Sequence, residues 1–146
     1  MVAPEAQHSL RCGLVNPFWM PRSHMRPGLS TGEETTDDRI PTAIWVMAHL
    51  RRCSAAGIPA TLVRRGDAIG GSVLLKLNQL DLGCRVLTRA RDLEGRPAWL
   101  AALNGHLVSE AEADAYIGRA VQRDPDLWVV EVEDRDGEHP FEGKML

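Results

Sequence analysis

The chain has 146 residues, 44% of them apolar and 25% charged, with a formal net charge of −3. That length supports one packed domain plus a tail without disulfide or metal staples, and the near-neutral charge speaks against general attraction to nucleic acid or to anionic membrane surfaces. Three cysteines (Cys12, Cys53 and Cys84), odd in number and without a CxxC pair, exclude a disulfide framework and suggest a reduced, cytoplasmic setting. The longest fully apolar run, Ala43 to Ala48, is too short for a membrane span, and the opening MVAPEAQHSLRC lacks the apolar stretch of a secretion signal.

Residues 1–39 read as a flexible, proline-rich tail. Pro4, Pro17, Pro21 and Pro27 interrupt every candidate element, and isolated apolar residues such as Phe18 and Trp19 are not expected to repay their ordering entropy. The domain is expected over residues 40–143. TAIWVMAHLRRCSAAG predicts a helix with Thr42 as N-cap and Gly57 as its stop. Ile44, Met47, Ala48, Arg51 and Ala55 share one helical face, widened by Trp45, Val46 and Leu50. ATLVRR and SVLLKLN read as strands on either side of a glycine-rich segment, Gly66 to Gly71, and CRVLTRA as a third strand. Their short links predict an antiparallel meander. AWLAALNG fits a short strand or a helical turn equally well. Ser109 and Glu112 form a capping box for a second helix. Its apolar face is Ala113, Tyr116, Ile117, Ala120 and Val121, and it ends at Asp124 before Pro125. LWVVEVED is a strand, Asp136-Gly137 a turn, and the last residues are expected to fray. The order predicts an α+β domain: one mostly antiparallel sheet of about four strands with two helices packed on one face.

The glycine-rich segment bears on function. A phosphate-binding loop needs a lysine after its last glycine and a helix beyond, whereas Gly71 is followed by Ser72 and a strand. A hairpin connection fits better, with Gly66, Gly70 and Gly71 supplying positive φ and Asp67 accepting a nearby backbone amide. Arg64 and Arg65 need a further reason. Alternation sends them to opposite sheet faces, so one approaches a core rim, where a guanidinium calls for a carboxylate. The charge distribution offers carboxylates at the other end of the chain. Arg51 to Arg91 carries eight Lys/Arg and two Asp/Glu, whereas Asp92 to Glu142 carries four and thirteen. In the last strand Leu127, Val129, Glu131 and Glu133 share one face and Trp128, Val130, Val132 and Asp134 the other. Pairing of that strand with the basic segment would bring Glu131 or Glu133 to Lys76, Arg85 or Arg65. On this reading the basic middle and acidic end neutralise each other inside the domain.

Other constellations are weaker. His49 and Cys53 stand four apart and, with Cys84, could form a zinc corner, but no fourth ligand suggests itself and buried cysteine is usually a small hydrophobe. EDRDGEH fails as a calcium loop because Val132 and Gly143 fall on ligand positions. No nucleophile elbow is present. No catalytic residue, metal ligand or cofactor is therefore assigned.

IWVMAHLRR, VRRGDAIGGSVLLKLN, EAEADAY and DPDLWVVEVED, in that order and spacing, resemble an uncharacterised alphaproteobacterial family known as domain of unknown function 1491. The likeness spans roughly residues 40–143. It implies a small bacterial cytosolic protein and carries no activity, ligand or site residue with it.

The favoured expectation is a non-enzymatic binding or interaction domain. Its candidate surface is Arg64, Arg65, Asp67, Asp124, Asp126 and Trp128, with Glu131, and its partner a protein or a small anionic ligand. The alternative is an enzyme with Asp124, Asp126 or Glu131 as acid or base and Arg65 orienting an anionic substrate. Nucleic-acid association through the basic middle is the least favoured, and no membrane partner is expected.

Overall fold

The computed structural model describes residues 40–146, which form one unit; the reading of residues 1–39 as a tail lies outside the described residues. Helix α1 spans Thr42–Ala55. Strands β1 (Ala60–Arg64), β2 (Val73–Asn78), β3 (Cys84–Arg91) and β4 (Pro97–Ala101) follow, then helix α2 (Glu110–Arg123), β5 (Trp128–Glu133) and the short β6 (Lys144–Met145). No described helix is long and apolar enough to cross a membrane.

The sheet has six strands, in the order β1-β5-β2-β3-β4-β6. It is mixed, with β2 and β5 parallel, β4 and β6 parallel, and the remaining pairs antiparallel. The expected meander exists as β2-β3-β4, but β5 separates β1 from β2. Trp128, Val129, Val130 and Val132 are buried on both faces of β5, and such a strand belongs at a sheet's centre rather than its edge. A parallel neighbour requires a crossover connection, and the chain from β3 through α2 supplies it.

The helices cover opposite faces, correcting the expectation that both pack on one. On one face Trp45, Val46 and Cys53 of α1 meet Val73, Leu75, Leu77, Leu87, Trp99, Trp128 and Val130. On the other, Ala113 and Ala120 of α2 pack with Leu74, Cys84, Val86, Leu127 and Val129. Alternation along β2 and β5 feeds both cores, as the sequence pattern in LWVVEVED requires.

Capping differs between the helices. Ser109 Oγ accepts from the Glu112 amide at 3.2 Å, the expected capping box. Thr42 is instead the first helical residue of α1, behind Pro41. The amides of Thr42 and Ala43 donate to the carbonyls of Ile69 and Ala68, and Thr42 Oγ1 donates to Gly71 O at 3.1 Å. The glycine-rich loop therefore caps α1, and the orphan amides of its first turn are spent. The expected apolar face of α1 is divided: Ile44 (61% exposed), Met47 and Ala48 point outward, while Trp45 and Val46, which widened it, are buried with His49 and Cys53. Two aliphatic stripes compete in this sequence, and the one carrying the large aromatic wins the core.

The chain end does not fray. Residues after β5 fold back as a strap that buries Phe141 and adds β6 beside β4. Trp99 Nε1 donates to Glu142 O at 3.0 Å, and the Glu142 amide donates to His49 Nε2 at 3.3 Å.

Candidate functional site

Six of the seven candidate residues converge where the β1–β2 connection crosses the start of β5, but their polar groups are largely consumed there. Arg64 Nη1 donates to Pro125 O and Leu127 O, both at 2.9 Å, and to Arg65 O at 3.2 Å. The expectation was a carboxylate for one of Arg64 and Arg65. A bulge between Leu62 and Arg64 re-aims the chain, and the carbonyls leading into β5 take the guanidinium instead. Arg65 lies over the Trp128 ring, 5.8 Å from its centroid. Trp128 is itself buried, and its Nε1 donates to Asp67 O at 2.7 Å. Asp67 Oδ2 accepts from the amides of Ile69 and Gly70, as expected for this loop. Asp124 Oδ1 accepts from the Asp126 amide at 3.0 Å.

The glycines of this loop have a different cause from the one expected. None of Gly66, Gly70 and Gly71 has positive φ. A side chain on Gly66 or Gly71 would collide with the Asp126 carbonyl, and one on Gly71 also with the Trp128 ring. The connection is no hairpin tip; it bridges over an intervening strand and needs backbone contact with it.

Glu131 lies apart from the other six, on the α2 face, where it meets Lys76. The parallel register places these residues side by side. Lys76, only 3% exposed, reaches Asp114 at 2.7 Å, Glu110 at 3.1 Å and Glu131 at 3.4 Å. Asn78 Nδ2 donates to Glu131 at 3.0 Å. Burial alone would push the Lys76 ammonium down. The hydrogen bonds to Asp114 and Glu110 and the charge of Glu131 more than reverse this, holding its pKa well above the ordinary 10.5. Of the expected neutralisation of the basic middle by the acidic end, this is the part observed: Lys76 meets Glu131 as expected, and also Glu110 and Asp114 of α2, whereas Arg64 takes carbonyls and Arg65 a ring. A cleft of about 390 Å³ opens beside the cluster, between α2 and β5.

A second concavity, about 350 Å³, lies on the α1 face beneath the strap. Arg85, Asp136, Glu138 and His139 give it a mainly polar lining, with the almost wholly buried Leu77, Leu87 and Phe141 behind. Arg85 Nε and His139 Nδ1 are buried and meet no hydrogen-bond partner among the described residues. Burial pushes the His139 imidazole below its usual pKa, against the opposing charge of Glu138, so the ring is neutral at pH 7. Its ring stands edge-on to Trp99 at 5.7 Å.

The zinc corner is not assembled. Cys53 and Cys84 belong to different cores on opposite sheet faces, and the His49 nitrogens are engaged by Trp45 O and the Glu142 amide. Burial raises both thiols, which disfavours the nucleophilic thiolate.

Residues 40–142 match the family model described as "Protein of unknown function (DUF1491)". The chain belongs to the DUF1491 family. A crystal structure of a DUF1491 family protein from Caulobacter crescentus CB15 is 38% identical, with a TM-score of 0.65 over 73% of this chain and 99% of that one. An NMR structure, also of a DUF1491 family protein from that organism, gives 38% and 0.63 over 73% and 96%. A solution structure of a protein from A. tumefaciens is 26% identical, with a TM-score of 0.55 over 66% and 86%. No match was found among proteins of curated function.

Within this DUF1491 domain the two concavities differ chemically. The Lys76 cleft presents a cation already bonded to three carboxylates. The strap cavity presents a guanidinium nitrogen and an imidazole nitrogen that the described fold does not use. Sequence reasoning named Arg85 only as one possible partner for Glu131 or Glu133, and it missed His139 altogether. The available signal was Phe141, a large aromatic residue in a mostly polar terminus, which marks a returning segment rather than a fraying one.

Proposed function

We propose that this DUF1491 domain is a small, non-enzymatic binding domain whose ligand seat is the cavity beneath the C-terminal strap, and that its ligand carries an anionic group. The observation behind this reading is the pair of buried nitrogens that meet no hydrogen-bond partner among the described residues, Arg85 Nε and His139 Nδ1, on two residues that line one concavity. A buried polar group without a partner costs about 1–3 kcal/mol, and a ligand acceptor recovers that cost on binding. Arg64 and Arg65 fit less well, because carbonyl bonds and a ring contact occupy them. Free, buried Cys53 and Cys84 accord with a cytoplasmic setting.

The test is an amide NMR titration of the full chain with a mixed fragment set of carboxylates, phosphates and amines. Shifts concentrated in residues 77–87 and 136–143 support the cavity. Shifts confined to Arg65, Asp67 and Trp128 return the site to the originally expected surface.

A further inference from the structure

Helix α1 carries two stripes. The inward one, Trp45, Val46, His49 and Cys53, is buried. The outward one has the pattern of a core face but lies at the surface: Ile44 is 61% exposed and Met47 37%, and Ala48 and Arg51 are exposed with them. These four residues stand at i, i+3, i+4 and i+7. That spacing forms one hole of a helix–helix interface, into which a single side chain of the facing helix inserts. A concavity of about 280 Å³ occupies this position, lined by the same four residues and Ala43. Ala43 and Ala48 leave the room, and Ile44 and Met47 supply the apolar contact. Ile40, just before the helix, and Ile69, whose carbonyl accepts the Thr42 amide, add exposed apolar surface near the helix start. The hole shares no residue with the strap cavity, so this inference stands apart from the reading of that cavity.

Charge narrows the occupant. Helix α1 contains no Asp or Glu, and its exposed Arg51 and Arg52 enter no ion pair among the described residues. Arg51 is itself part of the hole, so an acid beside the inserted side chain meets a cation there. A second copy of this chain fits poorly. Its α1 brings apolar side chains but no acid. Its α2 brings Glu110, Glu112 and Asp114, but Tyr116, Ile117 and Val121 of that helix pack against its own core. An anionic membrane surface also fits poorly, since two arginines contribute only about 1 kcal/mol each and the chain as a whole carries −3.

We propose that the outward face of α1 is a docking surface for an amphipathic, acidic helix of a partner protein. One large apolar side chain of that helix fills the hole between Ile44, Met47, Ala48 and Arg51, and an acidic residue beside it pairs with Arg51. In this helix-in-groove mode, apolar anchors at helical spacing carry the affinity and flanking charges choose the partner.

The full chain is titrated, by amide NMR and calorimetry, with an alanine-based helical peptide bearing leucines at i, i+3 and i+7 flanked by glutamates, and with a twin bearing lysines in place of the glutamates. The glutamate peptide is expected to shift the amides of residues 43–51. The lysine twin is expected to bind about tenfold more weakly at low salt, with the gap narrowing as salt rises. Ile44→Gln is expected to weaken the glutamate peptide about tenfold while leaving thermal melts unchanged, since Ile44 belongs to neither core. Arg51→Glu is expected to reverse the order of the two peptides. Equal binding of both peptides overturns the acidic partner, and a glutamate peptide that leaves residues 43–51 unshifted at millimolar concentration overturns the docking surface. Self-association of the chain in sedimentation, abolished by Ile44→Gln, would assign the face to a second copy. Binding to phosphatidylglycerol vesicles, abolished by the same change, would assign it to a membrane. Either result overturns the proposal.

Discussion

Consider Lys76 replaced by methionine. The lysine side chain is 3% exposed, whereas Glu110 and Asp114 are 61% and 58% exposed and Glu131 is 21% exposed. The burial cost of this cluster therefore falls almost wholly on the cation. Methionine fills similar volume and removes that cost, which for a buried ion is several kcal/mol. The lost attraction is of the same order, since the raised Lys76 pKa means that the hydrogen bonds and charges of Asp114, Glu110 and Glu131 at least balance that burial, while Glu131 keeps its bond from Asn78. K76M is thus expected to unfold within about 1 kcal/mol of the parent chain. The opposite change, E110Q with D114N and E131Q, leaves the ammonium buried among neutral acceptors. Stripping a buried charge of its partner costs about 3–5 kcal/mol, and amide oxygens that still accept reduce this to roughly 2–4. For a domain of about 100 residues that lowers Tm by ~10–25 °C, and adding K76M to the triple variant should recover most of it. Urea melts at pH 7 followed by circular dichroism supply the comparison. The sign of the alkaline effect also follows. A raised folded-state pKa gives stability that is full below the ordinary 10.5 and declines as pH climbs toward the folded value, so the parent should weaken above pH 10.5 with a slope K76M lacks. A K76M chain less stable than the triple variant would refute the reasoning, because losing the ammonium together with its bonds would then cost more than leaving it buried among neutral acceptors.

Three further outcomes are expected. Burial holds the His49 pKa below 6.5 in an environment that includes Arg52, Arg89, Glu142 and His139, so stability present above pH 6.5 is lost as pH falls toward the folded value; faster amide exchange in residues 139–145 on acidification, suppressed in His49→Gln, checks this. Gly66→Ala and Gly71→Ala each drive a methyl into the Asp126 carbonyl and should cost upward of about 1–3 kcal/mol, whereas Gly70→Ala, which meets nothing, should be nearly neutral in thermal melts. Arg64→Ala removes its bonds to the exposed carbonyl of Pro125 and the partly buried carbonyl of Leu127 and should cost roughly 0.5–1.5 kcal/mol in urea melts.

What the sequence disclosed depended on how local the physics was. The α2 helix was legible in full, because Ser109, Glu112 and the apolar spacing from Ala113 to Val121 all act within a few turns. So was the two-faced pattern of β5. The position of β5 was not legible, since adjacency in sequence favours a meander and only the long-range match of two doubly buried strands, β2 and β5, breaks it. The glycine loop misled for the same reason. Gly66 and Gly71 looked like turn residues, yet the constraint on them comes from Asp126, far along the chain. In α1 the aliphatic stripe of Ile44 and Met47 satisfied periodicity as well as the true core stripe did, and period alone cannot rank two stripes. The candidate site was half legible. Lys76 with Glu131 could be proposed from strand pairing; the strap that makes the second cavity could not, because its order rests on Phe141, His49 and Trp99 meeting across three elements.

The two concavities share an origin in strand parity. Lys76 and Arg85 stand on neighbouring strands, but the register pairs Lys76 with Val86 and Arg85 with Leu77, so one faces α2 and the other faces α1. Below α2 the cation meets Glu110 and Asp114, which the capping preference of a helix start places there, and Glu131 from β5. Below α1 no such acidic first turn exists, and the first-turn residues of that helix carry no acid at all. Arg85 is covered instead by the strap, whose acids stay at the exposed rim. Two basic residues of similar origin thus come to different ends, one neutralised by its own fold and one whose Nε meets no partner among the described residues, and the difference lies in which face each residue's parity assigns it.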